Sequence, residues 1–69
     1  MGKVYKTIEL VGTSDKGYED AIKSAIDEAG KTLKGMAWFE VKELRGGIKD
    51  NKLSEFQAII KVGFVLIHE

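Results

Sequence analysis

One stretch of helical periodicity, and only one, constrains this chain more than any other feature. From about Gly17 to Lys34, the residues Tyr18, Ile22, Ala25, Ile26, Ala29 and Leu33 fall on one stripe at the 3.6-residue period. Lys23, Asp27, Lys31 and Lys34 lie largely off it. Glu19 and Asp20 sit near the positive end of the helix dipole, and Lys31 and Lys34 near the negative end. Gly35 is positioned as the left-handed residue that ends the helix, and Gly17 as a weak N-cap. A single helix can cover one face of a small sheet, and no second helix is available for the other.

The remaining segments read at period two. Val4 to Val11 is β-branched and alternating, with Val4, Lys6, Ile8 and Leu10 on one face and Tyr5, Thr7, Glu9 and Val11 on the other. Gly12-Thr13-Ser14-Asp15 carries turn chemistry. Met36 to Arg45 forms a second strand, with Met36, Trp38, Glu40 and Lys42 opposite Ala37, Phe39 and Val41. Gly46-Gly47 interrupts it, and Lys49-Asp50-Asn51-Lys52 is a polar turn. Ser54 to Ile67 is the longest strand, alternating between Phe56, Ala58, Ile60, Val62, Phe64, Leu66 and Gln57, Ile59, Lys61, Gly63, Val65, Ile67.

The order is β-α-β-β, an α+β fold in a single domain over residues 1–69. A helical crossover returns the second strand parallel to the first, and a short connection makes the third antiparallel to the second. Insertion of the third strand between the other two gives a three-stranded antiparallel sheet, order 1-3-2, wrapped on one helix. Phe39, Val41, Phe56, Ile60, Val62 and Phe64 are the expected helix-side core. The far face still presents Met36, Trp38, Ile59, Val65 and Ile67. Each such side chain gains roughly 1.5–3 kcal/mol on moving from water to a dry site, and a contiguous apolar patch marks an interface or ligand groove. Other subunits, a ligand, or both are expected to cover it.

Composition sharpens this. A fold of 69 residues buries only a modest fraction of its surface, and without cysteine it has no disulfide or thiolate–zinc staple. Self-association is the remaining common remedy. Eleven basic residues against eleven acidic ones leave no excess for binding a phosphate backbone, so nucleic acid is disfavoured. No apolar run approaches the roughly 20 residues that span a bilayer, so no membrane partner is expected. The N-terminal residues lack a signal-like apolar stretch, which predicts a cytoplasmic protein.

Catalytic groupings are sparse. His68 stands beside the C-terminus, the serines lack a histidine partner, and there is no thiol nucleophile. Glu9, Glu40, Glu43 and Glu55 fit a solvated face or cross-strand ion pairs better than paired acid and base. No catalytic residue and no metal site is expected. Trp38 and Gln57 stand out instead, on the far face and on neighbouring strands. An indole offers a flat π surface, and a carboxamide offers two donors and an acceptor. The two suit a planar heteroaromatic with an imide-like edge. The plainer alternative is an interface tryptophan and a solvated strand glutamine.

These residues resemble the dodecin family of small flavin-binding proteins over nearly the whole chain. The likeness runs through Val4-Tyr5-Lys6, Glu9-Leu10-Val11-Gly12-Thr13-Ser14, Glu19-Asp20-Ala21-Ile22 and Thr32-Leu33. It continues in Trp38-Phe39-Glu40-Val41, Glu43, Arg45-Gly46, Gln57 and Lys61-Val62-Gly63-Phe64. The resemblance implies the same β-α-β-β fold, assembled as a hollow homododecamer of four trimers. It implies flavins stacked between tryptophans at two-fold contacts, with Trp38 stacking and Gln57 hydrogen-bonding the pyrimidine edge of the isoalloxazine. It puts Arg45 near the phosphate of FMN, the first-ranked ligand, with riboflavin second. Lys3, Tyr5 and Lys6 are carried over as lining the ligand or phosphate region. Val65 stands where family members often have a basic residue, which weakens the case for phosphate and for coenzyme A, and Gly17 stands where serine is usual.

The implied role is storage of flavin and photoprotection, because a stacked indole can donate an electron to the excited ring and quench it. Two rivals belong to other classes: a structural homo-oligomer without physiological flavin, and a flavin-dependent reductase, which would need an open approach for nicotinamide.

Overall fold

The structure, a computed structural model, describes residues 2–66. Ile67 and His68, singled out above, lie outside the described residues. Strand β1 spans Tyr5–Ser14, helix α1 Tyr18–Ala29, β2 Met36–Lys49 and β3 Lys52–Val65. The sheet order is β1-β3-β2, and both pairings are antiparallel. The expected topology is the observed one.

The helix seats itself through small residues. Gly12 is not a turn residue as expected; it lies inside β1, opposite Ala58. A Cβ at Gly12 would collide with the carbonyl of Ala21 and stand 2.9 Å from Cβ of Ala25. Gly12, Ala21, Ala25 and Ala58 therefore let helix and sheet approach closely, which alternation alone does not reveal. Ala21, Ala25, Ala58, Ile60 and Val62 are the buried core, with Ile8, Leu10, Ile22, Ile26 and Met36 packed around it.

Helix α1 ends at Ala29, five residues short of the expected end at Lys34. Gly30 disfavours continuation, and the chain tightens into bonds from Lys31 N–H to the Glu28 carbonyl and from Thr32 N–H to the Ala29 carbonyl. Lys31 and Lys34 thus lie beyond the helix, which has no basic residue in its last turn. Gly35 does adopt a left-handed φ of 82°, but as the entry to β2 and not as the helix cap. At the other end the Ser14 hydroxyl donates to Asp20 at 2.7 Å and accepts from the Lys16 N–H at 2.9 Å. Ser14 thus ties the loop before α1 to its first turn.

Strand β2 runs straight through Gly46-Gly47. Three register irregularities make this compatible with pairing, leaving Ala37 and Lys42 as extra residues in β2 and Ser54 in β3. The turn at Asp50 (φ 54°) and Asn51 (φ 63°) has both central residues left-handed, the type I′ signature that matches strand twist.

The bulge at Ala37 overturns one expectation. Met36 is opposite Phe64 while Trp38 is opposite Gly63. One extra residue puts Met36 and Trp38 on opposite faces, and Met36 packs against the core. Ile59, expected on the exposed patch, is only 7% exposed because it sits mid-sheet, flanked by Val11 and Glu43.

Phe39 and Val41 do face the helix side, but the helix lies over β1 and β3 and leaves them 47% and 41% exposed. An apolar hollow lined by Ile26, Met36, Ala37, Trp38, Phe39 and Val62 marks where the helix stops short of β2. Beyond Ser14 the β2–β3 hairpin projects as a two-stranded ribbon with Ile48 and Leu53 uncovered. The principal extents are 53 × 21 × 14 Å, and the radius of gyration is 14.3 Å. A compact domain of this length would have about 11 Å.

Candidate functional site

The far face of the sheet is built in rows. The first contains Tyr5 and Val65, and the next Thr7, Gly63 and Trp38. Glu9, Lys61 and Glu40 follow, then Val11, Ile59 and Glu43, then Thr13, Gln57 and Arg45. The apolar, aromatic end and the amide–guanidinium end are thus separated by a charged band. In that band Lys42 bonds Glu9 at 3.2 Å and Lys61 stands 3.9 Å from Glu40. Two of the four carboxylates weighed above are therefore in cross-strand ion pairs, all partners well exposed. Glu55 accepts from the Gln57 carboxamide N–H at 3.3 Å.

Trp38 lies across Gly63, with Cε2, Cζ2 and Cδ2 of the indole occupying the space into which a Cβ would project. Tyr5 meets the indole edge-on, ring centroids 6.0 Å apart and planes at 62°. The indole is 41% exposed, so it offers surface to a planar ligand. At the other end Arg45 Nε donates to Gln57 Oε1 at 2.7 Å. The guanidinium keeps its terminal N–H donors for an anion.

The sequence-predicted residues thus form two clusters: Trp38 with Tyr5, and Gln57 with Arg45. Gly63 and Gln57 are six residues apart on β3, which at about 3.3 Å per residue is about 20 Å. Trp38 and Gln57 share a face but do not meet within one chain, and no single ring touches both. Lys6, opposite Phe64, is on the helix-side face, away from Trp38. Lys3 is exposed and precedes β1, where Leu66 N–H bonds the Val4 carbonyl at 2.9 Å. Gly63 escaped the sequence reading as a site residue. Its signal was a lone glycine within an otherwise apolar strand, which often marks close approach of another group. Among the described residues no group of three or more candidate metal ligands comes together.

The family model described as Dodecin matches residues 4–67. The chain belongs to the dodecin family. It is 54% identical over 66 residues to the dodecin of Thermus thermophilus, covering 96% of each chain. The crystal structure of the W38F mutant of T. thermophilus dodecin matches with 51% identity and a TM-score of 0.89, covering 97% of this chain and 100% of that one. Dodecin from Streptomyces coelicolor matches with 37% identity and a TM-score of 0.91, covering 97% and 96%. The open β1-β3-β2 sheet with one helix is the fold these dodecins share with this chain.

Proposed function

We propose that this protein binds flavin at contacts between its own copies, stacking the isoalloxazine on Trp38 of one chain and bonding its imide-like edge with Gln57 of another. The observation that carries the reading is the separation of the two clusters by about 20 Å. Each chain holds half of a ring-binding site, and antiparallel apposition of two far faces brings the halves together. Uncovered apolar side chains on both faces of β2 support assembly beyond a pair, and the family's hollow dodecamer of four trimers is the arrangement assigned here.

FMN is the preferred ligand and riboflavin the second. Arg45 supplies the cation for a phosphate, while Val65 offers none. Coenzyme A is ranked below both for the same reason. Tyr5 belongs to the aromatic half-site; Lys3 is assigned to the phosphate approach, and Lys6, on the other face, to the periphery. The role is cytoplasmic storage and photoprotection by binding, not turnover. An indole in stacking contact donates an electron to the excited flavin, and charge recombination restores both. Titration of the purified protein with FMN and with riboflavin tests this. Uptake with strongly quenched flavin emission, lost in Trp38→Ala while the assembly mass persists, is the expected result.

One observation favours a structural assembly without flavin as the second reading. Gln57 already accepts from Arg45 and donates to Glu55, so one of its two amide donors and one of its two oxygen lone pairs are engaged within the chain. An intact oligomer that takes up neither flavin supports that alternative. Sustained NAD(P)H oxidation by the loaded protein would instead favour a reductase.

A further inference from the structure

Gly63 lies near the C-terminal end of β3, the middle strand, where glycine is a poor choice on propensity grounds. Its backbone gives no reason for the choice, because the positive-φ glycine among the described residues is Gly35 alone. The reason lies above it. A Cβ at Gly63 would fall on Cε2 and Cζ2 of Trp38, and within 2.8 Å of Cδ2. Real carbon–carbon contacts relax near 3.5–4.0 Å, so any side chain at this position would lift the indole off the sheet.

The bulge at Ala37 brings Trp38 opposite Gly63, and from there the ring reaches over β3 towards β1, where Tyr5 meets its edge. The indole therefore spans the sheet, with its inner face on the Gly63 backbone and its rim against Tyr5. Its outer face is left for a ligand.

We infer that Gly63 and Tyr5 are positioning residues that hold Trp38 flat, so that a planar ligand stacks on one defined face at one defined height. The ligand part of this inference rests on the flavin reading; the seating of the indole does not. Electron donation from an indole falls steeply with separation, and an indole raised or rotated by a methyl group at position 63 would stack poorly and quench poorly. Tyr5 limits rotation of the ring towards the β1 edge.

The chain contains a single tryptophan beside two tyrosines and three phenylalanines, so the indole band of the near-ultraviolet circular dichroism at wavelengths beyond tyrosine absorption, and emission anisotropy excited there, report on Trp38 alone. The test compares wild type with Gly63→Ala, first without ligand and then with FMN. In the ligand-free protein, Gly63→Ala is expected to lose most of the tryptophan dichroism and lower the emission anisotropy, with unchanged assembly mass. With FMN, affinity should fall at least tenfold and the emission of bound flavin should rise. Tyr5→Leu, which leaves the sheet centre untouched, should give the same changes at smaller amplitude. In a double-mutant cycle with Trp38→Phe, the effect of Gly63→Ala on FMN affinity should shrink to less than threefold. Wild-type dichroism and anisotropy in both Gly63→Ala and Tyr5→Leu would overturn the inference. Wild-type protein that ignores FMN would overturn the flavin reading while the tryptophan signals still decide the seating.

Discussion

Strands β2 and β3 are each 14 residues long and hydrogen-bonded to one another along most of that length, yet they live in different environments. In β3, the stretch Ala58-Ile59-Ile60 and the pair Val62-Gly63 are buried. In β2 only Met36 and Gly47 are even partly covered, although the strand carries Trp38, Phe39, Val41, Leu44 and Ile48. The difference is one of neighbours. β3 has a strand on each side and the helix above, whereas β2 is an edge with no helix over it. An edge strand this apolar is normally an aggregation hazard, and on our proposal further copies of the chain cover it. The two strands therefore separate what stabilises the chain from what joins it to others.

The largest expected effect tests the buried strand. Ile60 is fully buried, so Ile60→Ala should destabilise the protein by about 2–5 kcal/mol, measured by denaturant unfolding. Val41 is its direct neighbour on β2 and is 41% exposed in the chain. In a lone chain Val41→Ala would change stability by less than about 0.5 kcal/mol. A cost of about 1 kcal/mol or more at assembling concentrations, vanishing on dilution, would show that copies cover β2.

Phe39→Asp sharpens the contrast. It puts a charge on the helix-side face of β2, and native mass spectrometry should show the assembly breaking into smaller species. An undiminished assembly would place the interface elsewhere.

Next in size is the aromatic half-site. Stacking on an aromatic side chain contributes about 1–3 kcal/mol, so Trp38→Ala should weaken FMN binding by about 5- to 150-fold or more in a titration. Assemblies co-folded from Trp38→Ala and Gln57→Ala chains should recover a fraction of intact sites, because each surviving site draws on both chains. Failure of such mixtures to bind, when both chains co-assemble, would contradict a site shared between copies.

The smallest effects belong to the ion pairs. Removing Lys42–Glu9 with Lys42→Met should shift stability by less than about 1 kcal/mol, read as a small change in Tm that shrinks with added salt. Lys23 is raised above its ordinary pKa of 10.5 by the hydrogen bond and charge of Asp27. Its contribution is therefore present below the unfolded-state pKa and fades only as pH rises through the higher folded value. Thermal melts of Lys23→Gln and wild type should have the same pH dependence between pH 6 and about 9.

The element order, the insertion of β3 and the placement of Trp38 and Gln57 on one face were legible in the sequence, because alternation and helical periodicity record which face is apolar. Bulges were not. A single extra residue at Ala37 reverses the strand's parity, so Met36 reads as a far-face residue and sits in the core. Close approach was equally hidden: Gly12 read as a turn residue and Gly63 as one more position of an alternating strand, and both are places where another group touches the backbone. The helix end was misread because Leu33, beyond Gly30, continues the periodic stripe, while the glycine and the tightened turn stop the helix itself. Distance along a strand was also missed. Two residues on neighbouring strands share a face however far apart their register places them, which is why Trp38 and Gln57 look like partners and stand about 20 Å apart.

On our proposal the uncovered surface of β2 closes against other copies and holds a flavin ring between them. Native mass spectrometry of the protein as purified, before and after addition of FMN, tests it most directly. The expected result is a multi-chain assembly that carries flavin or gains its mass in whole-number steps, with the ligand lost in Trp38→Ala. A species at the 7.6 kDa mass of one chain, or an assembly that never gains flavin mass, would contradict it.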